Sequence, residues 1–235
     1  MSKTLIIADL HLTCVEGEKL DLFCRFCQTE AVNADQLFIL GDLFNTWIGD
    51  DISLPEYQVV IDCLKNLTKS TAVFVMVGNR DFLLAKKFEQ QSGCKLINEP
   101  YLLQQNDQDY ILLHGDSLCT DDIDYQKMKK VLRNRLVQSI FLNLPKKWRL
   151  KLSGEIRKKS IEAQSYKSET IMDVNQDAVD ALMAIYPSAD LIHGHTHRQN
   201  THLSETYTRY VLGDWSMTSG NAIALDNTLE RLEIH

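Results

Sequence analysis

The stretch Leu37-Phe38-Ile39-Leu40-Gly41-Asp42 runs four apolar residues into a glycine and a carboxylate. A short apolar run that stops at a turn residue reads as a strand buried on both faces. The same pattern recurs on either side. Leu5-Ile6-Ile7-Ala8 runs into Asp9-Leu10-His11, and Val73-Phe74-Val75-Met76-Val77 runs into Gly78-Asn79-Arg80-Asp81. Further on, Tyr110-Ile111-Leu112-Leu113 meets His114-Gly115-Asp116, and Leu191-Ile192 meets His193-Gly194-His195-Thr196-His197. Each predicted strand delivers polar side chains at its carboxyl end, where layered α/β sheets place their ligand sites.

Helical patterns separate the first strands. Glu18–Ala31 spaces Leu20, Phe23, Phe26 and Cys27 for one face, and Pro55–Leu67 opens on a proline suited to a helix start. Phe82–Gln91 forms a third, closed by Gly93. Strand and helix in alternation predict an α/β fold. Tyr207–Leu212, Asn221–Leu225 and Leu229–Ile234 are strand-like and separated by turn residues, so the tail is expected to be a meander closing a second sheet.

Residues 121–186 break this rhythm. They read as helical pieces cut by Pro145 and Gly154, with Asp173–Ile185 a separate amphipathic helix, and are expected to form a cap inserted in a single domain of residues 1–235. Charge is uneven too. The chain carries −7 overall, yet Gln126–Lys167 holds 13 Lys and Arg against Glu155 and Glu162, leaving 12 basic and 30 acidic residues elsewhere. Such a basic segment on an acidic body calls for an anionic partner. Leu136, Ile140, Phe141, Trp148 and Leu150 are interleaved with it. They either pack a small core of the cap, or line an apolar groove or touch a membrane surface. Stacking aromatics among the basic residues are few, Trp148 and Tyr166, so no nucleic acid is expected as a partner.

At 235 residues, 44% apolar and 24% charged, the composition is that of a globular protein. The apolar run at the start is too short for a signal peptide, and no stretch approaches spanning length. The six cysteines follow no disulfide or zinc-ribbon spacing, and Cys24-x-x-Cys27 falls on a predicted helix; all six are expected to be reduced thiols of a cytoplasmic protein.

The strand-end clusters contain Asp9, His11, Asp42, Asn79, His114, His195 and His197. A lone D-x-H or H-x-H is usually a buried histidine satisfied by hydrogen bonds. Five clusters in order, each after an apolar strand, instead suggest a metal centre. Oxygen and imidazole donors without thiolates suit manganese, iron or zinc better than calcium.

The order D-x-H, G-D, G-N-x-D, H, G-H-x-H resembles that of the calcineurin-like metallophosphoesterases. The resemblance covers the chain outside the cap and implies a two-sheet β-sandwich flanked by helices, with two divalent ions at the strand ends. By that likeness Asp9, His11, Asp42 and His197 would hold one ion, and Asp42, Asn79, His114 and His195 the other, with Asp42 bridging and catalytic roles for Asp42, Asn79, Arg80 and His195. Asp81 and Asp116 are expected to orient the histidines or Arg80. Many members of the family carry histidine after the G-N pair, as a proton donor to the leaving group; this chain has Arg80. Arginine cannot act as an acid near neutral pH but grips phosphate with two donors, which favours a phosphoanhydride with its good leaving group.

The G-N-R-D form, the stretch from Gly41 to Asp51 and the cap resemble the branch that hydrolyses a uridine-diphosphate-linked diacyl glucosamine in lipid A biosynthesis. That likeness implies manganese, peripheral attachment to the cytoplasmic side of the inner membrane, and no obligate protein partner. Asp122, Ser160, Gln164 and Lys167 match its cap-side substrate contacts, beside Asn79, Arg80 and His195; position 164 is more often asparagine there. Two readings stay beside this one: a nucleotide pyrophosphatase or phosphodiesterase acting on a soluble substrate, and a scaffold without metal.

Overall fold

The computed structural model of the protein describes residues 2–15, 17–165 and 173–235. Strand and helix alternate through β1 (Thr4–Ile7), α1 (Glu18–Thr29), β2 (Gln36–Leu40), α2 (Asp50–Glu56), α3 (Gln58–Leu67), β3 (Ala72–Met76), α4 (Lys86–Ser92) and β4 (Lys95–Ile97). A hairpin of β5 (Tyr101–Gln105) and β6 (Gln108–Leu113) leads to α5 (Ile123–Leu132), α6 (Arg135–Leu142), α7 (Lys146–Ser165) and α8 (Gln176–Met183). The chain ends in β7 (Asp190–His193), β8 (Asn200–Leu203), β9 (Thr208–Val211), β10 (Gly220–Leu225) and β11 (Leu229–Ile234).

Two sheets result, ordered β11-β10-β1-β2-β3-β4 and β5-β6-β7-β9-β8. Alternation along the strands explains why they stack. Leu5 and Ile7 of β1, like Leu37 and Ile39 of β2, pack under the helices with Phe23, Phe26 and Leu64. Ile6 and Phe38 point the other way and share a second core with Ile111, Leu191 and Ile192 of the second sheet. Helix α8 joins this second core through Val179 and Met183. Neighbours β1, β2 and β3 are parallel, as are β6, β7 and β9, so in each sheet three consecutive loops emerge at one edge.

Several expectations need correcting. The tail does not form one meander: β9 pairs with β7, while β10 and β11 join the first sheet with β10 antiparallel to β1. Apolar periodicity marks a strand but not the sheet it enters. Pro55 sits inside α2 rather than opening a helix, and α3 starts at Gln58. Helix α4 starts at Lys86, later than Phe82, because the Asp50 carboxylate reaches across to accept from the backbone N–H groups of Ala85, Lys87 and Phe88. Gly154 lies within α7 and does not break it. Cys24 and Cys63 are joined as a disulfide, not free thiols, because α1 and α3 pack side by side and bring their Cα atoms to 5.9 Å. Apolar patterning does not announce strands β4, β5 and β8; the four residues of β8 are all exposed.

Candidate active site

The loops after β1, β2, β3, β6 and β7 converge. Asp9 N–H donates to the carbonyl of Gly41 at 3.2 Å and His11 N–H to that of Asp42 at 2.9 Å, which ties the first two loops together. The His195 N–H donates to Asp9 Oδ2 at 2.7 Å and the Arg80 N–H to Asp42 Oδ1 at 2.8 Å, which ties in the loops after β7 and β3, and the Gly194 N–H donates to the His114 carbonyl at 2.9 Å, which adds that after β6.

Backbone strain concentrates here. Asp9, His11, Asp42, His195 and His197 all have left-handed backbone, with φ of 55, 49, 51, 68 and 58°. Non-glycine residues there cost on the order of 1 kcal/mol each and persist only where the surroundings enforce them. Gly78 and Gly194 make room for the carboxylates: a Cβ at Gly78 would collide with the Asp42 carboxylate, and one at Gly194 with the Asp9 carboxylate.

The side chains form one contiguous cluster. His197 Nε2 lies 3.5 Å from Asp9 Oδ1 and 3.1 Å from His11 Nε2. His11 Nδ1 is 3.8 Å, and His114 Nε2 4.0 Å, from the Asp42 carboxylate. Asn79 Oδ1 stands between His114 Nε2 at 3.1 Å and His195 Nδ1 at 3.2 Å. Arg80 Nε lies 3.8 Å from Asp42 Oδ2.

Burial sets the charges. It pushes Asp42 up to about 7 and drops His11 and His195 to about 3, so both imidazoles keep free lone pairs at neutral pH. Burial opposes the charged form of His114 too, but the carboxylates of Asp42, Asp116 and Asp9 outweigh it and raise that ring to about 9. His114 Nδ1 meets the Leu40 carbonyl at 2.8 Å, leaving Nε2 for the cluster.

The donor set fits divalent cations. Asp9 Oδ1 and His11 Nδ1 are buried without a hydrogen-bond partner, a costly state unless another species takes the lone pair. Ligand atoms of Asp9, His11 and His197 lie within 4.8 Å of one another, as do those of Asp9, Asp42 and His114. Asp9 thus belongs to both groupings, whereas the resemblance put it with one ion. An ionised Asp42 at this depth needs positive charge beside it.

The remaining sequence-chosen residues fall elsewhere. Asp122 caps α5, accepting from the Tyr125 N–H at 3.0 Å. Ser160 lies on α7 one turn beyond Arg157, whose guanidinium donates to Thr46 Oγ1 at 2.7 Å and Asn45 Oδ1 at 2.8 Å. The Gln164 side chain and all of Lys167 lie outside the described residues. Asp81 does not orient a histidine or Arg80: it accepts from the N–H groups of Gly78 at 2.7 Å and Phe44 at 3.3 Å and braces the turn. Asp116 faces α5 instead. Two further residues, Asp214 and Glu99, contribute to the site. Asp214 stands 3.7 Å from His197 Nδ1, in a loop after β9 that, like the other five, follows an apolar run with polar residues. Glu99 accepts from the His114 N–H at 2.9 Å, and nothing local in the sequence announces it.

Residues 2–199 match the family model of the calcineurin-like phosphoesterases. This chain belongs to the calcineurin-like phosphoesterase family. Among curated relatives of this calcineurin-like phosphoesterase, the UDP-2,3-diacylglucosamine hydrolase of Histophilus somni (strain 2336) is 42% identical over 221 residues, covering 93% of this chain and 94% of that one. The UDP-2,3-diacylglucosamine hydrolase of Yersinia pestis bv. Antiqua (strain Angola) is 45% identical over 217 residues, 90% of each chain.

Proposed function

We propose that this phosphoesterase uses two divalent ions, manganese in the cell, to hydrolyse UDP-2,3-diacylglucosamine. Water attacks the pyrophosphate, one P–O bond breaks, and UMP and 2,3-diacylglucosamine 1-phosphate leave. The observation that carries this reading is the similarity, at 42–45% identity over nine-tenths of the chain, to hydrolases named for that substrate.

Asp9, His11, Asp42 and His197 would hold one ion, and Asp42, Asn79, His114 and His195 the other, with Asp9 near enough to serve both. The ions, when bound, supply a water acidified toward neutral pH and positive charge for the phosphoryl oxygens. The chain does the rest. Left-handed turns at the donors hold the carboxylates and rings in place before substrate arrives, so little reorganisation is needed. Arg80, beside Asp42, is placed to take a phosphate oxygen with its fork of donors. It has no proton to give, which suits a phosphate leaving group. Asn79 and His195 complete the phosphate cradle.

The cap supports the lipid part. Among the described residues no side chain of α5 or α6 is buried, and Leu136, Ile140 and Trp148 are 70, 59 and 60% exposed. An apolar surface of this kind beside Lys130, Arg135, Lys146 and Lys147 suits acyl chains and an anionic bilayer surface. Among the described residues no helix is long and apolar enough to cross a membrane; on the likeness to the lipid A branch of the family we place the protein peripherally on the cytoplasmic side of the inner membrane. Asp122, Ser160, Gln164 and Lys167 are the cap's polar contacts in this reading.

The test is UMP release from UDP-2,3-diacylglucosamine with and without manganese. Metal-dependent release is expected. Turnover of a deacylated UDP-sugar at an equal rate would replace this reading with that of a soluble-nucleotide pyrophosphatase.

A further inference from the structure

One face of α5 converges on Asp116. Tyr125 Oη donates to Asp116 Oδ2 at 2.7 Å, and Lys129 Nζ donates to Oδ1 at 2.8 Å. Gln126 Nε2 donates to the backbone carbonyls of Asp116 at 2.8 Å and Cys119 at 2.9 Å. Arg133, one turn beyond Lys129, stands 3.9 Å from Asp116 Oδ2 and donates to the Gly78 carbonyl at 2.8 Å. Residues spaced four apart share one stripe of a helix, so Tyr125, Lys129 and Arg133 act together.

Two facts make this cluster more than a surface ion pair. Asp116 is fully buried, and a buried carboxylate is unfavourable unless partners compensate it; the side chains that hydrogen-bond it, Tyr125 and Lys129, come from α5. Helix α5, for its part, buries no residue, so apolar packing does not fix its place. Asp116 also lies two residues beyond His114, and Gly78 directly precedes Asn79. A single stripe of α5 thus grips two of the loops that carry donors. Lys129 adds a contact at 3.8 Å to Glu99, which holds the His114 N–H, and the Tyr125 ring lies 6.0 Å from that of His195.

We propose that Asp116 is a positioning residue: its carboxylate docks the cap helix α5 onto the donor loops and thereby sets how tightly the acylated nucleotide is held. This rests on the substrate reading above for its kinetic part only. Docking itself is read by hydrogen exchange, which needs no substrate.

Asp116→Asn and Lys129→Met remove the charge pair from opposite sides, and the second changes no residue of the donor loops. In both, amides of residues 123–132 should exchange at least about tenfold faster while those of β6 and β7 keep their protection. KM for UDP-2,3-diacylglucosamine should rise about tenfold with kcat within about threefold and bound metal unchanged. Lys129→Arg, which keeps the charge, should restore much of the protection. Unchanged α5 exchange in Lys129→Met would overturn the proposal. So would loss of metal and kcat in Asp116→Asn with α5 protection intact, which would make Asp116 a support of the His114 loop alone. If the wild type released no UMP, the substrate reading would fall, and the exchange result would still decide the clasp.

Discussion

Asp9 and Asp42 are sealed from water on left-handed turns, with His114 buried beside them, whereas Leu136, Ile140 and Trp148 of the cap lie open to it. The first region spends folding energy to keep charged groups where water would not leave them. The second leaves apolar area uncovered that the fold had the means to bury. In the proposed function a bound cation accounts for the first departure and a lipid for the second. Polar latches hold the two regions together: Arg149, 4% exposed, forks onto Asp51 and donates to the Ile48 carbonyl, and α5 closes on Asp116.

The comparison predicts that damage to one region spares the other's function. Asp42→Ala should lower UMP release by about three orders of magnitude or more, since both ion sites lose a donor. Its binding to vesicles containing anionic phospholipid should stay at the wild-type level. A parallel loss of vesicle binding would mean the regions are not separable.

The converse change is smaller. Replacing Ile140 and Trp148 together by Asp should weaken vesicle binding by at least about tenfold, given roughly 1.5–3 kcal/mol per large apolar side chain transferred out of water. Metal content and thermal midpoint should not move. Vesicle binding unaffected by the pair would place the membrane face elsewhere.

The smallest effect is a pH dependence confined to the sealed region. In metal-free protein Asp42 and His114 both bind protons more tightly folded than unfolded. The Asp42 contribution is complete below 3.8 and lost as pH rises through about 7; that of His114 is complete below 6.5 and lost through about 9. Stability of chelator-treated protein should therefore fall from pH 6.5 to 9, by on the order of 1 kcal/mol per pH unit. Thermal melts with and without a divalent ion read this, because the ion displaces the protons and flattens the slope. A rising midpoint across the window would contradict it.

Much of this was legible beforehand, and the reason is local. Buried strands such as Leu37–Leu40 write their burial as unbroken apolar runs, and each donor sits within a few residues of such a run. Asp214 follows such a run as well, but Gly213-Asp214 equally fits a turn. Long-range chemistry left less trace. That Asp50 caps α4, that Asp116 receives Lys129, and that Cys24 meets Cys63 all depend on which helices lie side by side, which periodicity does not encode. The apolar residues of the cap stayed ambiguous in sequence because exposed and packed leucines have the same spacing; only burial separates them.

Counting metal ions tests the central claim most directly. Protein purified without chelator and loaded with manganese should carry about two ions per chain by elemental analysis, and Asp42→Ala fewer than about one at the same free metal concentration. A wild-type chain that binds none, or an Asp42→Ala chain that still binds the full complement, would contradict the reading of these loops as a paired metal centre.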